Sequence, residues 1–337
     1  MRGGARAETM LKNIRLTPLA AESLGVRSMC TLVETPDVKM VLDAGVSLCP
    51  NRFGLPPHPD EFKVIVSCRK RISAEAERSA VITLSHYHFD HHTPSYEDWL
   101  CSWTEAGETA RQIYEGKLVL AKNRRKKINY SQRRRGWMFR KTAGKYAAKV
   151  VVADGETFAF GRSTRVRFSQ PVFHGAENSY LGWVLMTVVE CEGEKFMFAP
   201  DVQGPMDSST LDIILEEEPQ LLMIGGPPLY LSGFRVGEES VRRALANLEK
   251  IVEKIPLVVL DHHILRDLEW REKTRNVFRK AHSRGHEILT AAEFLGIPVS
   301  LLEASRKRLF NEKPPSSEFT KWMRKDDEKK KHTLPPI

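Results

Sequence analysis

The stretch Leu84-Ser-His-Tyr-His-Phe-Asp-His-His-Thr93 sets His86, His88, Asp90, His91 and His92 within seven residues. It follows Ala80-Val-Ile-Thr-Leu84, a short aliphatic and β-branched run that reads as a buried strand. Side chains of an extended chain alternate between its two sides, so His86 and His88 project together while Asp90 and His91 come from the following loop. Imidazole and carboxylate without thiolate are ligands for Zn2+, with Mn2+ or Fe as weaker fits. Four of the eleven histidines fall in this one window, a clustering that a solvated polar loop does not explain.

Other polar residues stand at the ends of strand-like runs. Asp43 ends Val38-Lys-Met-Val-Leu-Asp43 and is followed by Ala44-Gly45, His174 follows Val172-Phe173, and Asp201 follows Phe196-Met-Phe-Ala-Pro200. Leu257-Val-Val-Leu260 leads into Asp261-His262-His263. Each is weak alone, since an Asp or His after a strand is commonly a turn residue. Asp201 is a candidate bridge between two cations, and Asp43 and His92 read as outer groups that orient a ligand or a bound water. Asn178, Ser179 and Tyr180, which follow His174 closely, and the run Gly225–Tyr230, which follows another strand end, are loop groups that shape a pocket or simply turn the chain.

Strand-like segments also cover residues 13–16, 28–34, 150–152, 165–173 and 181–189. Residues 51–59, with Pro56, Pro57 and Pro59, read as a loop. Helical spacing is expected over 72–79, 94–114, 236–254 and about 268–284. In each half strands come first and helices follow, which points to two β-sheets packed face to face with helices outside. A chain of 337 residues can bury such a core. Residues 10–305 are expected to form it, with a disordered extension at 1–9 and a basic, mostly disordered tail at 306–337.

No apolar run reaches the ~20 residues that span a bilayer, and residues 1–9 lack the apolar core of a secretory signal. The five cysteines are scattered and never spaced C-x-x-C, so a reducing cytoplasm is the expected compartment.

The net charge of +9 is local. Residues 117–149 carry thirteen Lys or Arg and no Asp or Glu. Within this segment Arg124, Arg125, Arg133, Arg134, Arg135 and Trp137 are candidate substrate-binding residues, because guanidinium groups interleaved with aromatic rings suit phosphates and unpaired bases. A solvated pair of helices accounts for the composition equally well.

The set His-x-His-x-Asp-His at 86–91, preceded by Asp43-Ala-Gly45 and followed in order by His174, Asp201 and His262, resembles the metallo-β-lactamase superfamily. It spans Asp43 to His263, the greater part of the chain. The runs Ser23–Arg27, Gly54–Pro59 and Asp261–Asp267 resemble an uncharacterised archaeal group of metal-dependent hydrolases within it. The resemblance implies an α+β fold, a four-layer αββα sandwich with a dinuclear centre on one edge. It implies that His86, His88 and His174 hold one metal, Asp90, His91 and His262 the second, and that Asp201 bridges them. Two such cations lower the pKa of a shared water toward ~7 and stabilise charge developing on the substrate. Asp90 or Asp201 would then orient the attacking group, and His263 or His92 would protonate a leaving group. His262 is preferred to His263 as the last ligand.

His88 stands where di-iron electron-transfer members carry Glu. Only about sixty residues separate Asp201 from His262, too few for the domain that large RNA-processing members insert there. The resulting expectation is a metal-dependent hydrolase of a phosphodiester, nucleic acid or other phosphate-bearing substrate. A lactone or ester hydrolase with no nucleic-acid role, and a metal-binding protein without turnover, are the competing classes.

Overall fold

The computed structural model describes residues 11–177 and 179–337. The extension expected at 1–9 and the loop residue Asn178 lie outside the described residues.

Among the described residues one sheet takes the order β1-β2-β3-β4-β5-β6. Its strands are β1 (Arg15–Pro18), β2 (Thr31–Glu34), β3 (Lys39–Leu42), β4 (Val81–Leu84), β5 (Leu118–Ala121) and β6 (Lys149–Val152). The second sheet is built from β7 (Thr157–Phe160), β8 (Thr164–Phe168), β11 (Thr187–Cys191), β12 (Glu194–Ala199), β13 (Leu221–Gly225), β14 (Leu257–Asp261) and β15 (Glu287–Leu289), in the order 15-14-13-12-11-8-7. A small ribbon pairs β9 (Val172–Phe173) with β10 (Trp183–Val184). Strands β3 to β6 run parallel, as do β12 to β15, so both sheets send carboxyl ends toward one edge.

Alternation along each strand explains the layers. In β12, Phe196 and Phe198 face the other sheet while Met197 and Ala199 face helices; β13 and β14 divide the same way, with Met223 and Val259 inward and Leu222 and Val258 outward. Met40, Leu42, Val81 and Leu120 complete the inter-sheet core from the first sheet. Both faces of the central strands are therefore buried, as parallel strands with crossover helices require. Helices α1 (Pro59–Glu77), α2 (Ala106–Tyr114) and α3 (Tyr130–Lys141) cover the first sheet; α4 (Ser208–Glu217) and α5 (Glu238–Lys254) lie on the second. The architecture is the four-layer αββα sandwich.

Several local expectations need correction. The helix expected over 72–79 begins at Pro59: proline fits the first helical position, and His58 and Glu61 form a reciprocal capping box that starts the helix inside the proline-rich run. Segments 165–173 and 181–189 are each two strands, because the chain leaves the sheet between Phe168 and Val172 to form the ribbon that carries His174. The expected helix near 268–284 is divided at Thr274, whose hydroxyl donates to the Trp270 carbonyl.

The tail is the largest departure. Residues 306–337 include the helices Arg306–Glu312, Ser317–Met323 and Asp327–Lys331. Phe319 and Trp322 pack edge-on against Phe62 of α1, and Arg306 is fully buried on Glu61 at 2.8 and 2.7 Å. Average composition concealed two aromatic anchors and one buried ion pair.

The basic segment supplies β5, α3 and the start of β6, a parallel crossover unit within the sandwich. Helix α3 buries Gln132, Gly136 and Phe139, spaced four and three apart, and turns its charges outward. A Cβ at Gly136 would sit 2.8 Å from the Tyr87 ring, so only glycine lets the helix approach the ligand loop this closely. No helix among the described residues is long and apolar enough to cross a membrane.

Candidate metal centre

The candidate ligands converge because each ends or follows a strand at the same edge: Asp43 after β3, the His86–His92 loop after β4, His174 after β9, Asp201 after β12 and His262 after β14. Three of these residues, Asp43, Asp201 and His262, adopt positive φ angles of 51°, 52° and 70°. Left-handed backbone at a non-glycine residue costs on the order of 1 kcal/mol or more and persists where the surroundings enforce it. Gly45 is required beneath them, since a Cβ there would meet the His92 backbone nitrogen at 2.1 Å.

Asp201 sits at the centre. Its Oδ2 lies 3.1 Å from Nε2 of His86, 3.1 Å from Nε2 of His91 and 3.0 Å from Nε2 of His174. Its Oδ1 lies 2.9 Å from Nε2 of His262 and 3.0 Å from Nε2 of His263. Nδ1 of His88 lies 3.0 Å from Nε2 of His86, and Asp90 Oδ2 lies 3.7 Å from Nε2 of His262. His86, His88, His174 and Asp201 form one compact donor group, Asp90, His91 and His262 another, and Asp201, His262 and His263 a third.

The outer contacts fix ring orientation. Asp43, fully buried, accepts from Nδ1 of His91 at 2.8 Å and from the Ser85 backbone at 2.7 Å. The Ser85 hydroxyl also donates to Asp43 and sits 2.9 Å from Nδ1 of His86. Nδ1 of His92 lies 2.9 Å from the carbonyl of His88, and its ring packs between Tyr87, Phe89 and Phe139. That buried position braces the loop, and His92 is not among the residues that line the cleft.

Two residues at the site are not among the candidates named from the sequence. Arg266 donates to Glu22 at 3.0 Å and to Nδ1 of His263 at 2.9 Å, and Glu22 Oε2 lies 3.4 Å from Nδ1 of His262. Both are single charged residues whose importance arises only from tertiary contact. The one cue was Glu22 directly after Leu19-Ala-Ala21, a charge in an apolar run.

Electrostatics separate the histidines. Burial, reinforced by neighbouring imidazoles, lowers His86 well below its ordinary value and pushes His88 down to about 3. Burial and then Arg266 lower His263 well below the usual range. Burial works in the same direction on His91 and His262, but the carboxylates around them together outweigh it and raise both: Asp201, Asp90 and Asp43 at His91, and Asp201 and Glu22 at His262. Burial opposes ionisation of Asp201 and Asp90, yet the surrounding imidazoles hold both carboxyls below the usual carboxylate range.

The ligand cluster opens into a cleft of about 570 Å3 whose wall includes His88, Asp90, His174, Asp201 and His263. Of the six substrate-binding candidates from the basic segment, Arg135 lines this cleft. Arg134 lines an adjoining hollow, Arg124 and Arg125 line a third, Arg133 is exposed and Trp137 is half exposed. Arg27, Arg235 and Arg266 reach the cleft from outside the segment.

No protein-family model matches the chain. A UPF0282 protein of Pyrobaculum neutrophilum is 43% identical over 299 residues, covering 88% of this chain and 95% of the relative. One of Korarchaeum cryptofilum is 37% identical over 314 residues, covering 93% of this chain and all of the relative. The chain belongs to the UPF0282 family. Solved structures similar to this UPF0282 chain include a metal-dependent hydrolase of the β-lactamase superfamily, 12% identical with a TM-score of 0.46 over 82% of this chain and 96% of that one. Another is the short form of human tRNase Z, 12% identical with a TM-score of 0.43 over 73% of this chain and 91% of that one.

Proposed function

We propose that this protein is a metal-dependent hydrolase whose centre holds two divalent cations, Zn2+ first among the fits, and that it acts on a phosphate-bearing substrate. The observation that carries the reading is the state of the buried donors. Nε2 of His91, His174 and His262 and Oδ1 of Asp201 are buried and make no hydrogen bond, although they lie near one another. The contacts are close but misaligned. A buried polar atom left unpaired costs ~1–3 kcal/mol, and a shared cation is the partner that satisfies a ring of such lone pairs at once.

His86, His88 and His174 would hold one ion, Asp90, His91 and His262 the other, with Asp201 contributing to both. Bound there, the two ions supply a Lewis acid and a water acidic enough to ionise near neutral pH. Asp90 and Asp201, both held ionised, are positioned to orient the attacking water. Asp43 keeps the Nδ1 proton of His91 engaged, which leaves Nε2 free as a donor.

His263 has a different task. His263 lines the cleft, and because Arg266 donates to its Nδ1, the proton of the neutral ring sits on Nε2, 3.0 Å from Oδ1 of Asp201. An N–H there is a hydrogen-bond donor to a developing oxyanion and is not a metal ligand. His262, whose Nδ1 has Glu22 and Arg266 both at 3.4 Å and whose Nε2 lies with Asp90, His91 and Asp201, is kept as the last ligand.

The substrate class rests on two guanidinium groups. Arg27 and Arg266 are neutralised by Glu303 and Glu22, whereas Arg135 and Arg235 reach the cleft and enter no ion pair among the described residues. A substrate carrying phosphate supplies the missing anion. The cleft volume gives a second reading some support, since about 570 Å3 takes up a small lactone or ester whole against Leu181, Met206, Leu231 and Val236.

Elemental analysis combined with turnover of bis(p-nitrophenyl) phosphate, p-nitrophenyl acetate and simple lactones decides among these. Metal-dependent phosphodiester turnover supports the main reading, and turnover confined to esters or lactones supports the second. Metal-loaded protein inactive on all three classes would leave a metal-holding protein without catalysis.

A further inference from the structure

The charges of the basic segment are almost entirely unneutralised. Of its thirteen Lys and Arg residues, only Lys122 enters an ion pair among the described residues, with Asp154 at 2.8 Å. Elsewhere the chain pairs its cations readily, as in Lys39 with Glu34 and Glu75, or Arg167 with Glu217. A solvated face of a folded protein ordinarily mixes both signs. A cationic face with no acid of its own is complementary to a polyanion.

The position of α3 gives that face a direction. Asn129, its N-cap, donates to the carbonyls of Tyr180 and Leu181 at 2.8 Å, and Gln132 donates to Leu181 at 2.8 Å, so the helix is tied to the loop that follows His174. Ser131 and Arg135 line the metal cleft and also an adjoining hollow of about 530 Å3, with Phe89 as their common wall. Tyr96, Tyr130, Arg134 and Met138 complete that hollow. The Arg135 guanidinium lies over the Phe89 ring at 4.7 Å, and Tyr130 and Tyr180 are 82% and 78% exposed. Aromatic faces left open to solvent beside unpaired guanidinium groups are the elements that stack unpaired bases and hold the intervening phosphates.

We infer that the hollow beside the metal cleft, formed by α3, Phe89 and Tyr96, binds single-stranded nucleic acid and leads one of its phosphodiesters past Arg135 into the cleft. Phosphates meet Arg134 and Arg135, and bases stack on Tyr130 and Tyr96. The final step rests on the hydrolase reading above; the binding does not. A duplex is disfavoured because its bases offer no free faces to the rings.

The test measures fluorescence anisotropy of labelled 20-nucleotide oligouridylate and oligothymidylate with the full chain after chelator treatment, so that binding is read without turnover. With about four phosphates neutralised, the affinity should weaken about 50-fold between 50 and 200 mM salt. Arg134→Glu and Tyr130→Ala, both on the surface, should each weaken binding at least ~10-fold. Lys250→Glu, a charge-matched change near the far end of α5, should leave it within ~2-fold. No binding at 50 mM salt, equal binding of a duplex, or indifference to both α3 variants overturns the inference. Turnover of bis(p-nitrophenyl) phosphate reports on the hydrolase reading separately: its absence with oligonucleotide binding intact defeats that reading alone, and its presence with no binding defeats this one alone.

Discussion

Nη1 of Arg266 lies 2.9 Å from Nδ1 of His263, whereas Nδ1 of the adjacent His262 has Nη2 of Arg266 and Oε2 of Glu22 both at 3.4 Å, so only His263 has a close cationic partner on that nitrogen. His263 is left with its proton on Nε2. His262, one residue earlier, turns its Nδ1 toward Glu22 and its Nε2 toward Asp201 and Asp90. Two-bond 15N–1H correlation spectra of the zinc-loaded protein should show His263 as the Nε2–H tautomer. In Arg266→Met the two tautomers should mix, and turnover should fall ~10- to 100-fold. An Nδ1–H ring in the wild type would remove the assigned role.

Arg266 and Glu22 are both buried, so the same substitution carries a stability cost. Removing one partner of such a pair strands the other and costs ~3–5 kcal/mol. Chemical denaturation of Arg266→Met should show a loss of that order, and Glu22→Gln combined with Arg266→Met should recover part of it. Full additivity of the two changes would contradict the pairing.

Asp43 touches no substrate-facing surface, and its effect is expected on metal affinity. Asp43→Asn should weaken zinc binding ~10- to 100-fold in competition with a chromophoric chelator, because His91 loses the acceptor that orients it. Unchanged affinity would mean that the backbone alone positions His91.

His91 and His262 provide a test against pH. Their pKa values are raised in the metal-free protein, so each retains a proton at pH values where an ordinary histidine has lost it. A metal must displace that proton, and affinity should fall as pH drops toward and below neutral. Calorimetry in buffers of different ionisation enthalpy should therefore register proton release at pH 7. The stabilisation of the metal-free fold runs oppositely. It is fully present below the unfolded-state histidine pKa and is lost as pH rises through the raised values. Net proton uptake on zinc binding would contradict both statements.

Much of the site was legible because its ligands stand at the ends of short apolar strands, where an aliphatic run followed by His or Asp is a local pattern. The local pattern singles out Asp43, Asp201 and His262 one by one, and it is the resemblance to the metallo-β-lactamase superfamily that implies a common edge for them. The helix from Pro59 was missed because proline marks both loops and first helical turns, and only the His58 and Glu61 capping contacts separate the two. The tail was misjudged because its lysines outnumber Phe319 and Trp322, while packing energy depends on where two rings land and not on their frequency. The roles of Glu22, Arg27, Arg235 and Arg266 are not legible in the sequence, even though Arg27 and Arg266 stand in runs that carry the resemblance, since a lone charged residue acquires its role only from a partner distant in sequence.

Arg27 and Glu303 illustrate such a partnership at the cleft rim, joined by two hydrogen bonds of 2.6 and 2.7 Å. Burial opposes ionisation of Glu303, but Arg27, with Arg266 and Arg306, overrides it and holds the carboxyl well below its usual range. A depressed carboxylate stabilises the fold above its unfolded-state pKa, and that contribution is lost as pH falls through the folded value. Glu303→Gln should cost on the order of 2 kcal/mol at pH 7, less than a wholly buried pair because Arg27 is partly exposed. The gap between variant and wild type should close in acid. A pH-independent difference would assign the loss to packing.

Anomalous diffraction from crystals grown with zinc would locate the two cations proposed around Asp201. Two adjacent peaks are predicted, one against His86, His88 and His174 and one against Asp90, His91 and His262, with Asp201 between them; Asp201→Ala should abolish at least one. A wild-type map with no peak at Asp201, or a variant that retains both at full occupancy, would contradict the account.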